Sequence, residues 1–106
     1  MVNNMTEIIR GTTPTIKYTF KKVDTADLTT AYLTVRQGND IMIERDISTA
    51  EIAEGYVSWV LTQEETLSLA RGAVIFMLNW KTSNGTRGAS EKSRINVVEN
   101  DKDEVI

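Results

Sequence analysis

The chain has 106 residues, 41% of them hydrophobic and 25% charged, which is the composition of one soluble globular domain with its own core. It contains no cysteine, which excludes disulfides and thiolate chemistry, and no histidine, the commonest general base and metal ligand near neutral pH. The net charge of −3 lies in residues 99–106, ENDKDEVI, where four acidic side chains accompany one lysine, and the rest of the chain is neutral overall.

Alternation of apolar and polar residues predicts the strands of the first half of the chain. In TIKYTF, Ile16, Tyr18 and Phe20 share one face, and in TAYLTVR, Ala31, Leu33 and Val35 do so. The turn cluster QGND then leads into IMIERDI, which predicts a hairpin. The predicted strands are a short edge strand within residues 5–11, then 15–20, 30–36 and 41–47, with a polar connection at 21–29.

The second half begins with residues 48–55, STAEIAEG, which favour a polar loop over a helical turn. Strands are predicted at 56–61 and 73–82 and, after the strong hairpin signal Asn84-Gly85, at 87–98. Six or seven short strands without long intervening helices predict an all-β fold, an antiparallel immunoglobulin-like β-sandwich. We expect one domain over residues 1–98 and an acidic, mobile tail over 99–106.

The stretch LTQEETLSL interrupts this pattern and predicts one short helix near residues 62–70. Thr62 followed three residues later by Glu65 is a capping box, in which each side chain satisfies an orphan backbone N–H of the first turn. Neighbouring carboxylates such as Glu64 and Glu65 point to different sides of a helix, whereas acid–base catalysis needs them to face each other. The pair is therefore interpreted as structural.

No other pattern predicts chemistry. The chain lacks nucleophile motifs and glycine-rich phosphate loops, and Asp40, Glu44 and Asp46 do not have the spacing of a calcium loop. We therefore expect no catalytic residue, no metal and no cofactor. The neutral body predicts no nucleic-acid binding, because that binding depends on neutralising phosphates. The apolar stretches are too short to span a membrane, and the opening MVNNMTE has no signal-peptide pattern, which predicts synthesis in the cytoplasm.

Two features suggest contacts with other proteins. Residues 73–80 are apolar on both faces, so Ile75 and Met77 form a second apolar surface that either a neighbouring layer or a subunit interface would cover. Close by in sequence, residues 85–94 contain a basic cluster of Arg87, Lys92 and Arg94. This cluster would either bind an anionic partner, such as the acidic tail of a neighbouring subunit, or simply be the charged side chains of a solvent-exposed hairpin. The solvated hairpin is favoured because Glu91 interrupts the cluster. The candidate interface residues are Ile75, Met77, Arg87, Lys92, Arg94, Asp101, Asp103 and Glu104.

Four landmarks in order resemble small structural proteins of tailed phages and prophages of Gram-positive hosts, including the N-terminal β-sandwich domain of baseplate upper proteins. They are IIRGTTPTIKYTF (8–20), LTQEETL (61–67), Gly72 before a long apolar strand, and an NGTR hairpin leading to the S-x-x-x-x-V run of 93–98. In the long strand, such proteins often have a glutamine-containing run where this chain has MLNW.

The resemblance implies a virion structural protein of the tail or baseplate, without enzymatic activity, that is assembled into a phage particle in a bacterial host. Its partners would be other copies of itself or other virion proteins, with no nucleic acid and no membrane. An alternative from another class is a stand-alone module that binds a small ligand or carbohydrate through its loops and exposed aromatic residues such as Tyr32 or Tyr56.

Overall fold

The chain forms two β-sheets packed face to face in a computed structural model that describes residues 5–106. The predicted immunoglobulin-like β-sandwich with one short helix is confirmed. Residues 1–4 lie outside the described residues. They include the first residues of the predicted domain 1–98 and most of the opening MVNNMTE.

The described residues contain nine strands, divided between a six-stranded and a three-stranded sheet. The larger sheet has the order β1-β9-β7-β3-β4, with β8 also pairing to β7, and the smaller sheet has the order β2-β6-β5. The strands are β1 (Glu7–Ile9), β2 (Thr15–Thr19), β3 (Leu28–Gln37), β4 (Asp40–Asp46), β5 (Glu51–Ala53), β6 (Tyr56–Val60), β7 (Gly72–Thr82), β8 (Arg87–Ala89) and β9 (Ser93–Val98), and helix α1 spans Gln63–Leu67.

Two local differences make the strands more numerous than predicted. The loop predicted at 48–55 is wrong, because a 3-10 turn at Ile47–Thr49 is followed by β5, which pairs with β6 around Gly55 at a φ of +88°. The strand predicted at 87–98 is interrupted at Ser90. Its hydroxyl accepts a 2.9 Å hydrogen bond from the N–H of Leu78, so a side chain replaces a ladder carbonyl at this point.

One strand pair is parallel within a fold that was predicted to be antiparallel. Strand β1 lies beside β9 in parallel register, with Ile8 opposite Val97. The other described pairs are antiparallel, including the predicted hairpins β3–β4 and β7–β8. The parallel pair places the start of the domain next to the strand that leads into the acidic tail.

The core lies between the two sheets and consists mainly of residues that alternation predicts, although Tyr18 and Trp80 are only partly buried. Ile16, the Leu33 face of β3, and the Val57 and Trp59 face of β6 are buried, as is the Phe76 face of β7. Trp59 also donates a 2.8 Å hydrogen bond from its indole N–H to the carbonyl of Asp46, so its polar atom is satisfied in the core. The opposite side of the larger sheet is thereby left facing outward.

Candidate interaction surface

Strand β7 carries an apolar strip on the side of the larger sheet that faces away from the core. Phe76 and its inward neighbours are fully buried, whereas Ile75 and Met77 on the other side are only half-buried. Strand β7 is an interior strand between β3 and β9, which explains its apolar inner face. Residues 5–106 form two sheets and no third layer that would cover the outer face of β7. We call this side of the larger sheet, centred on Ile75 and Met77, the outer face.

Strand register brings basic side chains to both sides of this apolar strip. Ile75 lies opposite Arg36 of β3 and opposite Arg94 of β9. Because cross-strand partners stand side by side, the aliphatic stems of both arginines flank Ile75 while their charged ends reach water. A depression of about 430 Å³ is lined here by Arg36, Ile41, Ile75, Met77 and Lys92. Ile41 is 54% exposed and adds an apolar residue from β4 to those of β7.

The cations that border the apolar strip are not neutralised by ion pairs within the described part of the chain. Among the side chains of residues 5–106, no ion pair involves Arg36, Arg87, Lys92 or Arg94. Arg87 makes only a long hydrogen bond of 3.4 Å to Asn79. A surface with unpaired cations around an apolar strip is suited to bind a segment that is both anionic and partly apolar.

Glu91, which interrupts the basic cluster in sequence, does not neutralise it in space. It lines a different depression, together with Tyr18 of strand β2 and Phe20, which directly follows that strand. Burial, followed by the nearby charge of Glu91, raises the pKa of the Tyr18 hydroxyl, as expected when a carboxylate lies beside a phenol. The reason for preferring a solvated hairpin at residues 85–94 therefore does not hold, because the acidic side chain faces away from the basic ones.

The acidic tail is held at one end of the sandwich by Arg10. The guanidinium of Arg10 donates to the carbonyls of Leu67 and Leu69 at 2.8 and 2.7 Å, which satisfies the end of α1. The same guanidinium donates to Asp103 at 2.5 Å, and its Nη1 lies 3.8 Å from Glu99. Sequence reasoning missed Arg10, since its partners are distant in sequence and no local pattern indicates them.

The last residues of the tail make polar contacts but bury little apolar surface. Gln63 accepts a 2.8 Å hydrogen bond from the N–H of Ile106 and donates one of 3.2 Å to its carbonyl. The side chains of Val105 and Ile106 stay 50% and 84% exposed. Glu104 pairs with Lys102, and Asp101 is exposed. The mobility of residues 99–106 stays a prediction, and these polar contacts are what such motion would break.

The eight candidate interface residues therefore fall into two groups. Ile75, Met77, Arg87, Lys92 and Arg94 come together on the outer face, and the acidic residues Asp101, Asp103 and Glu104 lie on the tail at the end of the sandwich. Sequence reasoning missed Arg36 and Ile41 on the outer face. Arg36 continues the polar side of the alternating run TAYLTVR, so the signal for it was present.

Helix α1 contains the predicted capping box. The N–H of Glu65 donates to the Thr62 hydroxyl at 3.1 Å, and the N–H of Thr62 donates to the Glu65 carboxylate at 2.8 Å. The same carboxylate accepts from Arg45 of β4 at 2.7 Å, which ties the helix to the larger sheet. The Thr62 hydroxyl and the Glu65 carboxylate thus both hold the helix in place, and the neighbouring side chain of Glu64 is exposed.

The two tyrosines considered for ligand binding lie on different sheets. Tyr32 belongs to β3 on the outer face, where a depression of about 180 Å³ also contacts Trp80. That volume is below the roughly 300 Å³ at which small-molecule sites begin. Tyr56 belongs to β6 of the smaller sheet, and the Lys17 ammonium lies 4.1 Å from its ring centroid. The two rings do not converge on one site.

Residues 5–106 contain neither a metal-binding cluster nor a membrane-spanning helix. Within this range no three acidic side chains come close enough together to hold a metal ion. No helix in the same range has the length and apolar character needed to cross a membrane.

No protein-family model and no curated protein matches the chain. Among solved structures it is similar to CopC from Methylosinus trichosporium OB3b, with a TM-score of 0.60 and 11% identity over 92% of this chain and 87% of that one. It also matches murine CRIg with a TM-score of 0.46 and 11% identity, over 94% of this chain and 95% of that one. At such identity the CopC likeness supports the sandwich fold alone.

Proposed function

We propose that this protein is a non-enzymatic structural component of a phage or prophage particle, of the tail or baseplate, that works through protein–protein contacts. The observation that carries the proposal is the outer face, where a half-buried apolar strip on β7 is bordered by cations that form no ion pair within residues 5–106. The four sequence landmarks that resemble those of phage structural proteins support the proposal that the assembly is a phage particle. The solved structures similar in fold do not bear on this setting.

The outer face has the features of an interface rather than of an active site. Its centre is apolar and its border is charged, which is the arrangement of a protein–protein contact with a desolvated core and a polar rim. Ile41, Ile75 and Met77 supply the apolar centre, and a partner that covers them removes this area from water.

The presence of the protein in particles tests the proposal directly. Purified particles from a lysed host culture should contain the chain by mass spectrometry, and particles without it would refute the proposed function. The surface is tested by Ile41→Glu, which places a charge in the apolar centre and should prevent incorporation. Val60→Glu on the smaller sheet is the matched control, because Ile41 and Val60 are both 54% exposed. Equal incorporation of both variants would contradict the role of the outer face.

A further inference from the structure

We propose that the outer face of one copy binds the acidic segment of residues 99–106 of a second copy. This inference deepens the proposed function and rests on it, since it names the partner of the same surface. Its basis is that the chain carries both halves of a complementary pair, a basic apolar face and an acidic segment with an apolar end.

Charge is the first element of this complementarity. Arg36, Lys92 and Arg94 border the apolar strip without an ion-pair partner among residues 5–106. The segment ENDKDEVI has a net charge of −3, which is the whole net charge of the chain. Opposite potentials of this kind steer association and set the register of a contact. The depression around Ile75 and Met77 has cations but no acidic side chain in its lining, so an acidic segment is well suited to it.

The apolar residues match in the same way. Val105 and Ile106 directly follow Asp103 and Glu104, and both are at least half exposed where the tail now lies. On the outer face, the half-buried side chains of Ile75 and Met77 likewise keep part of their apolar surface in water. A segment whose acids face the arginines would bring its two apolar side chains within reach of this strip, so that both exposed apolar groups leave water together.

The occupant comes from a second copy because the chain's own segment leads elsewhere. It runs across the end of the sandwich, where Asn100 donates to the carbonyl of Arg10 at 2.8 Å and Asp103 accepts from the Arg10 guanidinium. Ile106 reaches Gln63 at the start of α1. The contacts of Asp103 and Ile106 are polar and solvent-exposed, so they are weak and exchangeable. Exchange releases the segment toward a neighbour.

The resulting contact is head to tail, because the face and the segment are different surfaces. Each copy offers one face and, once its own contacts exchange, one segment, so contacts can continue from copy to copy. Such heterologous contacts form a closed ring when the rotation between copies permits and an open filament when it does not. Either assembly is a self-association of the kind that the proposed structural role requires.

Charge reversal tests the pairing. One variant carries Arg36→Glu and Arg94→Glu, and the other carries Asp103→Lys and Glu104→Lys. We expect wild-type protein to self-associate with an affinity that falls as salt rises, measured by sedimentation velocity. Each variant alone should dissociate about tenfold more readily or worse, because like charges then oppose each other. Mixed in equal amounts, the two variants should associate again, since each face meets a segment of opposite charge.

A control variant separates the pairing from net charge. Lys21→Glu with Lys22→Glu makes the same change in net charge as the face variant at exposed positions away from the outer face. It should self-associate like the wild type. All these positions are solvent-exposed, and circular dichroism of each variant verifies the fold.

Several outcomes would overturn the inference. If the segment variant associates like the wild type while the face variant does not, the face is used but its partner is another surface, and the proposed function survives. If the mixed variants stay monomeric, the pairing is refuted. A wild type that is monomeric at about 1 mM also refutes it, since that is the range of the weakest specific contacts. The particle experiment then decides the proposed function separately.

Discussion

Replacing Glu65 with alanine should destabilise the fold more than replacing its capping partner Thr62, because it removes two interactions of one oxygen. The Oε1 atom accepts the capping hydrogen bond from the N–H of Thr62 and the ionic hydrogen bond from Arg45. Thr62→Ala removes only the other half of the capping box, the bond from the N–H of Glu65. The difference in stability between the two variants therefore reports the contribution of the contact between Glu65 and Arg45 of strand β4.

The size of the effect follows from the exposure of the groups. A capping bond contributes about 1 kcal/mol to the free energy of unfolding. The side chains of Arg45 and Glu65 are 18% and 22% exposed, so their pair lies between an open surface pair and a buried one. A contribution of about 1 kcal/mol is intermediate between those cases. Glu65→Ala should thus cost about 2 kcal/mol and Thr62→Ala about 1 kcal/mol.

Thermal and urea unfolding measure these values. A loss of about 2 kcal/mol should lower the midpoint temperature by about 8–12 °C. Glu65→Gln is the matched control, because glutamine keeps the capping bond and loses only the charge that pairs with Arg45. A double-mutant cycle of Glu65→Gln with Arg45→Met then gives the coupling of the pair.

The reasoning would be refuted by two results. Equal losses for Thr62→Ala and Glu65→Ala would mean that the contact with Arg45 contributes nothing. A loss for Glu65→Gln as large as for Glu65→Ala would mean that the capping bond contributes nothing.

Three further changes are predicted. Gly88→Ala should cost about 1–3 kcal/mol in urea unfolding, because its Cβ would lie 2.4 Å from the Trp80 ring; wild-type stability would contradict this packing. Phe76→Ala should cost about 3–5 kcal/mol, and a much smaller loss would mean that β7 is not central to the core. Hydrogen bonds from Ser48 lower the pKa of Asp46, so its contribution to stability is present above about pH 4 and is lost as pH falls through the lowered pKa. Asp46→Asn should therefore reduce the dependence of the unfolding free energy on pH in that range. An unchanged pH dependence would contradict this role of Asp46.

Much of the fold could be predicted because its signals are local. Alternation at Ile16, Leu33 and Val57 reports which side of each strand is buried, since successive side chains point to opposite faces. The capping box at Thr62 is local as well. Prediction failed at Ser90 and at strand β5, where a side-chain hydrogen bond and a pairing partner, rather than composition, decide the conformation.

The candidate surface was only partly predictable. The double apolarity of β7 indicated Ile75 and Met77, and the spacing of the basic residues indicated Arg94 and its neighbours. The sequence could not show that Arg36 stands opposite Ile75, or that Glu91 turns toward Tyr18, because register and strand bends decide which side chains meet.

By itself, the sequence determined the alternation, the caps and the location of the negative charge, all of which depend on neighbours within a few residues. Only the tertiary structure decided that the basic and apolar side chains share one face, and that Arg10 holds Asp103 and the carbonyls of Leu67 and Leu69. Those groups are separated by 57 to 93 residues, and only the pairing of sheets brings them together.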